Sequence, residues 1–341
     1  MNTLGKQLKL HIYGASHGPE VGVLLEGVPA GILITFDDFQ EAIARRQPTM
    51  RGSTPRKEKD RILIRSGLKS GLTTGAPILL SILNENIRSA DYENQRAIPR
   101  PGHADWGAHV KYKGYEDYRG GGMFSARLTV GIVAAGVVAE KVIKHYLKWD
   151  AYQVSSKILQ VGKYEDVEKG LEAAIAAKDS VGGKIQITID GIPTGIGEPY
   201  FYGLDAALGQ AIFSVPAVKG LEFGAGFDSL NMYGSEHNDA IIDATGATAT
   251  QNAGGVVGGL SNGNPLQFQV VVKPTSSTPQ VQNSYNWEEK KSMEFSIKGR
   301  HDLCVALRAP VILESITSWV LADLGLMYKE LPYAPSKEYY L

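Results

Sequence analysis

The sequence predicts an α+β fold, a layered β-α-β sandwich formed by one domain over residues 1–341. Three observations carry this expectation. Strand-like and helix-like segments alternate irregularly, without the strict rhythm of a doubly wound parallel sheet. The run Leu128–Tyr146 is apolar nearly all round in its first half, which predicts a helix buried between layers. Finally, Glu26-Gly27-Val28-Pro29-Ala30-Gly31-Ile32 is echoed by Asp190-Gly191-Ile192-Pro193-Thr194-Gly195-Ile196, each copy closing a strand-like run and leading into a helical one. The echo is either an internal duplication of two similar halves or common turn chemistry used twice.

Along the chain, runs rich in β-branched residues predict strands at Leu8–Tyr13, Val21–Glu26, Arg61–Arg65, Ile78–Leu83, Lys184–Asp190 and Gln267–Lys273. Helical spacing of apolar residues predicts helices at Asp37–Arg46 (Phe39 and Ile43 on one face), Asp166–Ala177, Leu204–Phe213 and Pro310–Leu326. No linker rich in proline and serine separates the halves, so one compact body is expected.

Composition narrows the function. An apolar fraction of 43% supports a real core, and a net charge of −1 supplies no global field for nucleic acid or membrane. Affinity for an anion must therefore come from local clusters of arginine. Cys304 is the single cysteine, which rules out an intramolecular disulfide and points to a reducing, cytoplasmic setting. Residues 1–10 lack the apolar centre of a signal peptide, and the apolar run Leu128–Ala139 is too short to span a bilayer.

Chemistry concentrates between Arg100 and Arg127, a segment with His103, the triple glycine Gly120-Gly121-Gly122 and a buried-helix pattern directly behind it. Glycines at such a turn let backbone N–H groups face an anion, arginines add a fork suited to phosphate or carboxylate, and histidines exchange protons near neutral pH. Three further clusters accompany it. Gly14-Ala15-Ser16-His17-Gly18-Pro19 is a polar turn between two strands. The stretch from Gln251 and Asn252 through Gly258 to Gly263 is dense enough in glycine for close approach to a planar ligand, or simply for tight turns. Lys273-Pro274-Thr275-Ser276-Ser277 and Lys298-Gly299-Arg300-His301-Asp302 set cations beside hydroxyls, as a phosphate site requires or as a solvated loop allows. The phosphate-binding loop G-x-x-x-x-G-K-[ST] is absent. The one near miss to a dinucleotide fingerprint, Gly224–Ser229, lacks the third glycine and leads into a strand-like stretch.

In this order the clusters closely resemble the chorismate synthase family over nearly the whole chain. The resemblance includes Arg45-Arg46-Gln47-Pro48, Thr73-Thr74-Gly75-Ala76-Pro77, Arg100-Pro101-Gly102-His103-Ala104-Asp105 and Gly234-Ser235-Glu236-His237-Asn238-Asp239. There are departures: Met123-Phe124-Ser125-Ala126-Arg127-Leu128-Thr129 replaces the family's usual R-[SA]-S-A-R-E-T, and Thr49 stands where the family has glycine, leaving Arg51 or another arginine as the counterpart of the family's next one. The resemblance implies a lyase that converts 5-enolpyruvylshikimate 3-phosphate to chorismate with reduced FMN. The alternative is an FMN-dependent oxidoreductase acting on a small anion, or a non-catalytic anion binder. It implies catalytic roles for His17, His103 and Asp302. It places FMN against Met123, Phe124, Ser125, Gln251, Asn252, Gly258, Lys273, Pro274, Thr275, Ser276, Ser277 and Arg300, and the substrate against Ser16, Arg45, Arg46, Arg51, Arg100 and Arg127. It further implies a homotetramer, with reduced flavin supplied either by the enzyme itself or by a separate, NADP-linked flavin reductase.

Overall fold

The computed structural model describes residues 2–47, 52, 59–85, 97–297 and 302–330. The first half runs β1 (Thr3–Leu4), β2 (Lys9–Gly14), β3 (Glu20–Glu26), α1 (Gln40–Arg46), β4 (Leu63–Ile64), β5 (Leu68–Lys69), β6 (Leu72–Thr73), β7 (Ile78–Leu83), α2 (Asp105–Tyr112) and α3 (Thr129–Lys141). The second runs β8 (Gln153–Val161), α4 (Val167–Ala177), β9 (Gly183–Asp190), α5 (Leu204–Ser214), β10 (Val218–Phe223), α6 (Gly234–His237), β11 (Val256–Val257), β12 (Leu260–Ser261), β13 (Leu266–Val272), β14 (Gln282–Asn286), β15 (Lys291–Phe295) and α7 (Ala309–Glu330). The fold is α+β. One antiparallel sheet has the order β1-β2-β3-β7-β4, and the other has β10-β13-β9-β8.

The echoed turn is one part of a larger correspondence. Strands β2-β3-β7-β4 and β8-β9-β13-β10 follow the same path through their sheets, each with a helix after the second strand and a small hairpin before the strand that returns to the centre. The two turns also make the same hydrogen bonds. Gly31 N–H donates to the Thr73 carbonyl and Ile32 N–H to Thr73 Oγ1, while Thr73 Oγ1 donates to the Pro29 carbonyl. Gly195, Ile196 and Pro193 repeat all three with Ser261. The hairpins match residue by residue as well: Gly71-Leu72-Thr73-Thr74-Gly75-Ala76-Pro77 aligns with Gly259-Leu260-Ser261-Asn262-Gly263-Asn264-Pro265. Backbone φ is +83° at Gly75 and +84° at Gly263. Matching strand order, pairing at the strand ends and turn bonding distinguish a duplication from a reused turn, with α4 and the bulges in β8 and β10 as additions in the second half.

The apolar helices lie between the sheets. Nearly all of α3 is buried; it packs on β3 and β7 of the first sheet and against α7, while α7 packs on β8 and β9 of the second. One continuous cluster of buried residues runs from Leu8 through Trp319 and includes both sheets. The two central helices approach closely at Gly136, where a Cβ would lie 2.4 Å from Ser315 Cβ. Gly136→Val is therefore expected to destabilise the protein by at least about 1–3 kcal/mol, the usual cost of overpacking; an unchanged midpoint in thermal unfolding would contradict this packing. The stretch Ala309–Lys329 is long and apolar enough to cross a membrane, yet 89% of its apolar window is buried within the fold. It is the core helix of the second half.

Boundaries differ from the sequence expectation where tertiary context decides. The predicted helix at Asp37 opens with a tight turn, Asp37–Phe39, before α1 begins. The run Leu128–Tyr146 divides into α3 and a wider turn, Val142–Leu147. The predicted strand Arg61–Arg65 pairs over only Leu63–Ile64. Strands β8 and β10 and helix α2 carry polar or glycine-interrupted patterns, QVSSKILQV, VKGLEF and DWGAHVKY, which hide their periods.

Candidate active site

A cavity of about 550 Å³ opens at one end of the helix layer. The loop from β7 to α3 and the loop from β13 to α7, equivalent positions in the two halves, supply most of its wall, and the β2–β3 turn, the α1–β4 connection with Arg46 and Asp60, and the α5–β10 turn add the rest.

The β2–β3 turn brings in Ser16 and His17, both buried. Asn84, just after β7, anchors this turn by donating to the carbonyls of Ala15 and Gly18 at 3.1 and 2.8 Å. Ser16 Oγ donates to the carbonyls of Arg119 and Gly120, at 3.1 and 3.2 Å, so the hydroxyl is used to hold the glycine loop. The triple glycine has its own reason. All three residues have positive φ, and a Cβ on Gly120 would lie 3.0 Å from His17 Nε2, while one on Gly121 would lie 3.0 Å from His103 Cε1. The chain thus threads between two imidazoles where only glycine fits.

His103 is tied to its own motif. Nδ1 lies 2.5 Å from Asp105 Oδ1 and donates to the carboxylate, while Arg100 Nη2 lies 3.0 Å from Nδ1 and 3.3 Å from Nε2. Asp105 also accepts from Arg100 Nε at 2.7 Å and Nη2 at 2.8 Å. Burial pushes the Asp105 carboxyl up, but the hydrogen bonds from Arg100 and His103 outweigh it and hold the group well below the usual carboxylate range. Asp105 is therefore a fixed negative charge that orients the histidine.

Arg46 and Arg127 share a second buried carboxylate, Asp60. Arg46 Nη1 donates to Asp60 Oδ2 at 3.2 Å and Arg127 Nη1 donates to Oδ1. Burial, helped by the positive charge of Arg308, lowers Arg46 to about 9, so it stays protonated at neutral pH. In the second half, Lys273 Nζ donates to Ser276 Oγ at 3.2 Å, and Ser276 Oγ donates to the Gly102 carbonyl at 2.8 Å, stitching the two site loops together. Burial and nearby Lys219 lower the Lys273 ammonium. Asp302 accepts from Arg308 Nη1 at 3.1 Å, and Arg308 Nε donates to the Arg46 carbonyl at 3.0 Å.

The cavity thus gathers Ser16, His17, Arg46, Arg100, His103, Met123, Phe124, Ser125, Arg127, Lys273, Thr275, Ser276, Ser277 and Asp302, with Pro274 inside the same loop. Other expected residues lie elsewhere. Arg45 is turned away: its guanidinium pairs with both oxygens of Glu314 at 2.7 Å, against the helix layer. Gln251, Asn252 and Gly258 are not in the wall, and Gly258 has open space around it in the hairpin that answers β5–β6. Arg51 and Arg300 lie outside the described residues. Residues in this site that were not singled out from the sequence are Asp60, Asn84 and Arg308. Asp105 was visible within its motif, two positions after His103, whereas nothing about Asp60 in sequence marks it as a partner of arginines distant along the chain.

The sequence profile of the chorismate synthase family matches residues 8–326. This chain belongs to the chorismate synthase family. It is 52% identical to the chorismate synthase of Chitinophaga pinensis over 327 residues, covering 96% of this chain and 97% of that one. It is 40% identical to that of Dehalococcoides mccartyi over 358 residues, covering 97% and 98%. A crystal structure of a chorismate synthase superposes with a TM-score of 0.71 at 24% identity, covering 95% of this chain and 93% of that one, and so shares the fold. With the family comes the reaction class, a carbon–oxygen lyase of the shikimate pathway.

Proposed function

We propose that this protein converts 5-enolpyruvylshikimate 3-phosphate to chorismate and phosphate by 1,4-anti elimination, with reduced FMN as cofactor. The observation that carries this reading is the pair His17 and His103, held on either side of Gly120 and Gly121 in a cavity walled by arginines. Among the described residues, Arg46, Arg100, Arg127, Arg308 and Lys273 outnumber the carboxylates beside them, Asp60, Asp105 and Asp302. Such a wall suits ligands that bring phosphates and carboxylates. A site for net hydride transfer has no need of that excess, which disfavours the oxidoreductase reading.

The residues present fit FMN. Met123 and Phe124 are about 40% exposed, an apolar ledge beside the glycine loop that a planar ring would cover. Lys273, Thr275, Ser276 and Ser277 collect an ammonium and hydroxyls for a phosphate. Bound reduced FMN would supply electron density transiently, without net consumption.

Around that group the side chains divide the work. Arg46 and Arg127 hold substrate anions. His17, as imidazolium, donates a proton to the leaving phosphate oxygen as the C–O bond breaks. His103 carries a proton at Nε2 toward the cofactor, with Asp105 fixing the ring. Asp302 takes part in removing the C6 proton, oriented by Arg308. The same proposal includes one catalytic body per chain, a cytoplasmic home, a separate NADP-linked flavin reductase and a homotetramer. The largely exposed Phe227, Leu230, Tyr233 and Ile241 offer apolar surface that a second copy would cover.

The test is an anaerobic assay following chorismate absorbance. Chemically reduced FMN is expected to support many turnovers per flavin, and oxidised FMN none. Equal activity without flavin, or stoichiometric oxidation of FMN per product, would overturn the reading.

A further inference from the structure

Arg46 and Arg127 come from different elements, the end of α1 and the turn before α3, yet they meet on one carboxylate. Asp60 is 6% exposed and gives one oxygen to each guanidinium. Its backbone has φ of +46°, the left-handed region that aspartate tolerates better than most residues. The rest of each guanidinium is also committed. Arg46 donates from Nε and Nη2 to Thr129 Oγ1 and from Nη2 to the Ala126 carbonyl. Arg127 donates from Nε to Asn84 Oδ1 at 2.9 Å and from Nη2 to the Leu83 carbonyl at 3.1 Å. Of the five N–H groups on each guanidinium, a minority is left over among the described residues, and both arginines line the cavity.

We propose that Asp60 is a positioning residue of this site: it aligns Arg46 and Arg127 so that their remaining N–H groups face a phosphate or carboxylate in the cavity. A buried ion pair is a poor way to gain stability, because desolvation offsets attraction; its best-attested use is to fix geometry. Here the geometry is that of two cations which would otherwise repel each other. Asp60 also sets the charge of the wall. Among the described residues, Arg46, Arg127 and Arg308 stand against Asp60 and Asp302, and Arg100 is paired with Asp105, so the trio carries one positive charge beside that of Lys273.

This inference rests on the function proposed above, and its test separates the two. Asp60→Asn keeps the shape but turns an N–H toward one of the arginines. Its KM for 5-enolpyruvylshikimate 3-phosphate is expected to rise roughly tenfold or more, the scale of one lost charge-assisted hydrogen bond, with a smaller change in kcat. Affinity for inorganic phosphate, measured by calorimetry without flavin, is expected to fall in parallel. Asp60→Glu, which keeps both pairings from a longer stem, is expected to recover part of the affinity. A purely structural role would lower the melting temperature and leave KM and phosphate affinity unchanged below it; that result would overturn the proposal. Phosphate affinity that falls in Asp60→Asn while the wild type shows no turnover would uphold Asp60 and sink the lyase assignment.

Discussion

His17→Ala and His103→Ala are each expected to lower saturating turnover by roughly a hundredfold or more, the usual scale for losing a general acid. The fold should survive both changes. Each ring occupies space at the glycine loop, but neither belongs to the continuous apolar core. The two variants should differ in detail. His103→Ala also strips Asp105 of one partner while Arg100 still holds it, so the Arg100–Asp105 pair persists. Loss of His17 should be felt most with poor leaving groups, because an acid matters more when the departing oxygen is more basic. Circular dichroism at the assay temperature and steady-state rates check both points. Near-wild-type turnover in both variants would remove the histidines from the chemistry.

Much of this was legible in the sequence, for identifiable reasons. The G-x-P-x-G echo reports a turn whose backbone geometry the side chains must accept, so it persisted in both halves. The hairpin echo, Gly71–Pro77 against Gly259–Pro265, was equally present, but one copy was read as a family motif and the other as part of a glycine cluster. Those glycines serve hairpin geometry: Gly255 and Gly67 have φ of +84° and +86° and pack against equivalent strands. Glycine density alone does not distinguish a ligand platform from a tight turn. Arg45 and Arg46 show the same limit. They are neighbours in sequence, but the helix turns them about 100° apart, sending one to Glu314 and the other to the cavity. Asp60 was silent because its meaning lies entirely in its distant partners.

Asp302→Ala is expected to depress the saturating rate by roughly a hundredfold, the scale for losing a base, without weakening substrate binding. A competing explanation is that this carboxylate only caps the helix that follows. The structure gives the cap of the short turn before α7 to Cys304, and places Asp302 in the cavity wall against Arg308. Removing Asp302 therefore frees a guanidinium within an anion site, and KM should stay level or fall. A transition-state role predicts that pattern, a drop in kcat with binding intact. Asp302→Asn refines the point, since the amide oxygen can still accept from Arg308 but the group can no longer take up a proton. If Arg308 alignment were the whole role, Asp302→Asn would recover most of the rate. If proton removal is the role, it stays as slow as Asp302→Ala. A lowered melting temperature with an unchanged saturating rate in both variants would assign Asp302 to the architecture and leave proton removal to another group.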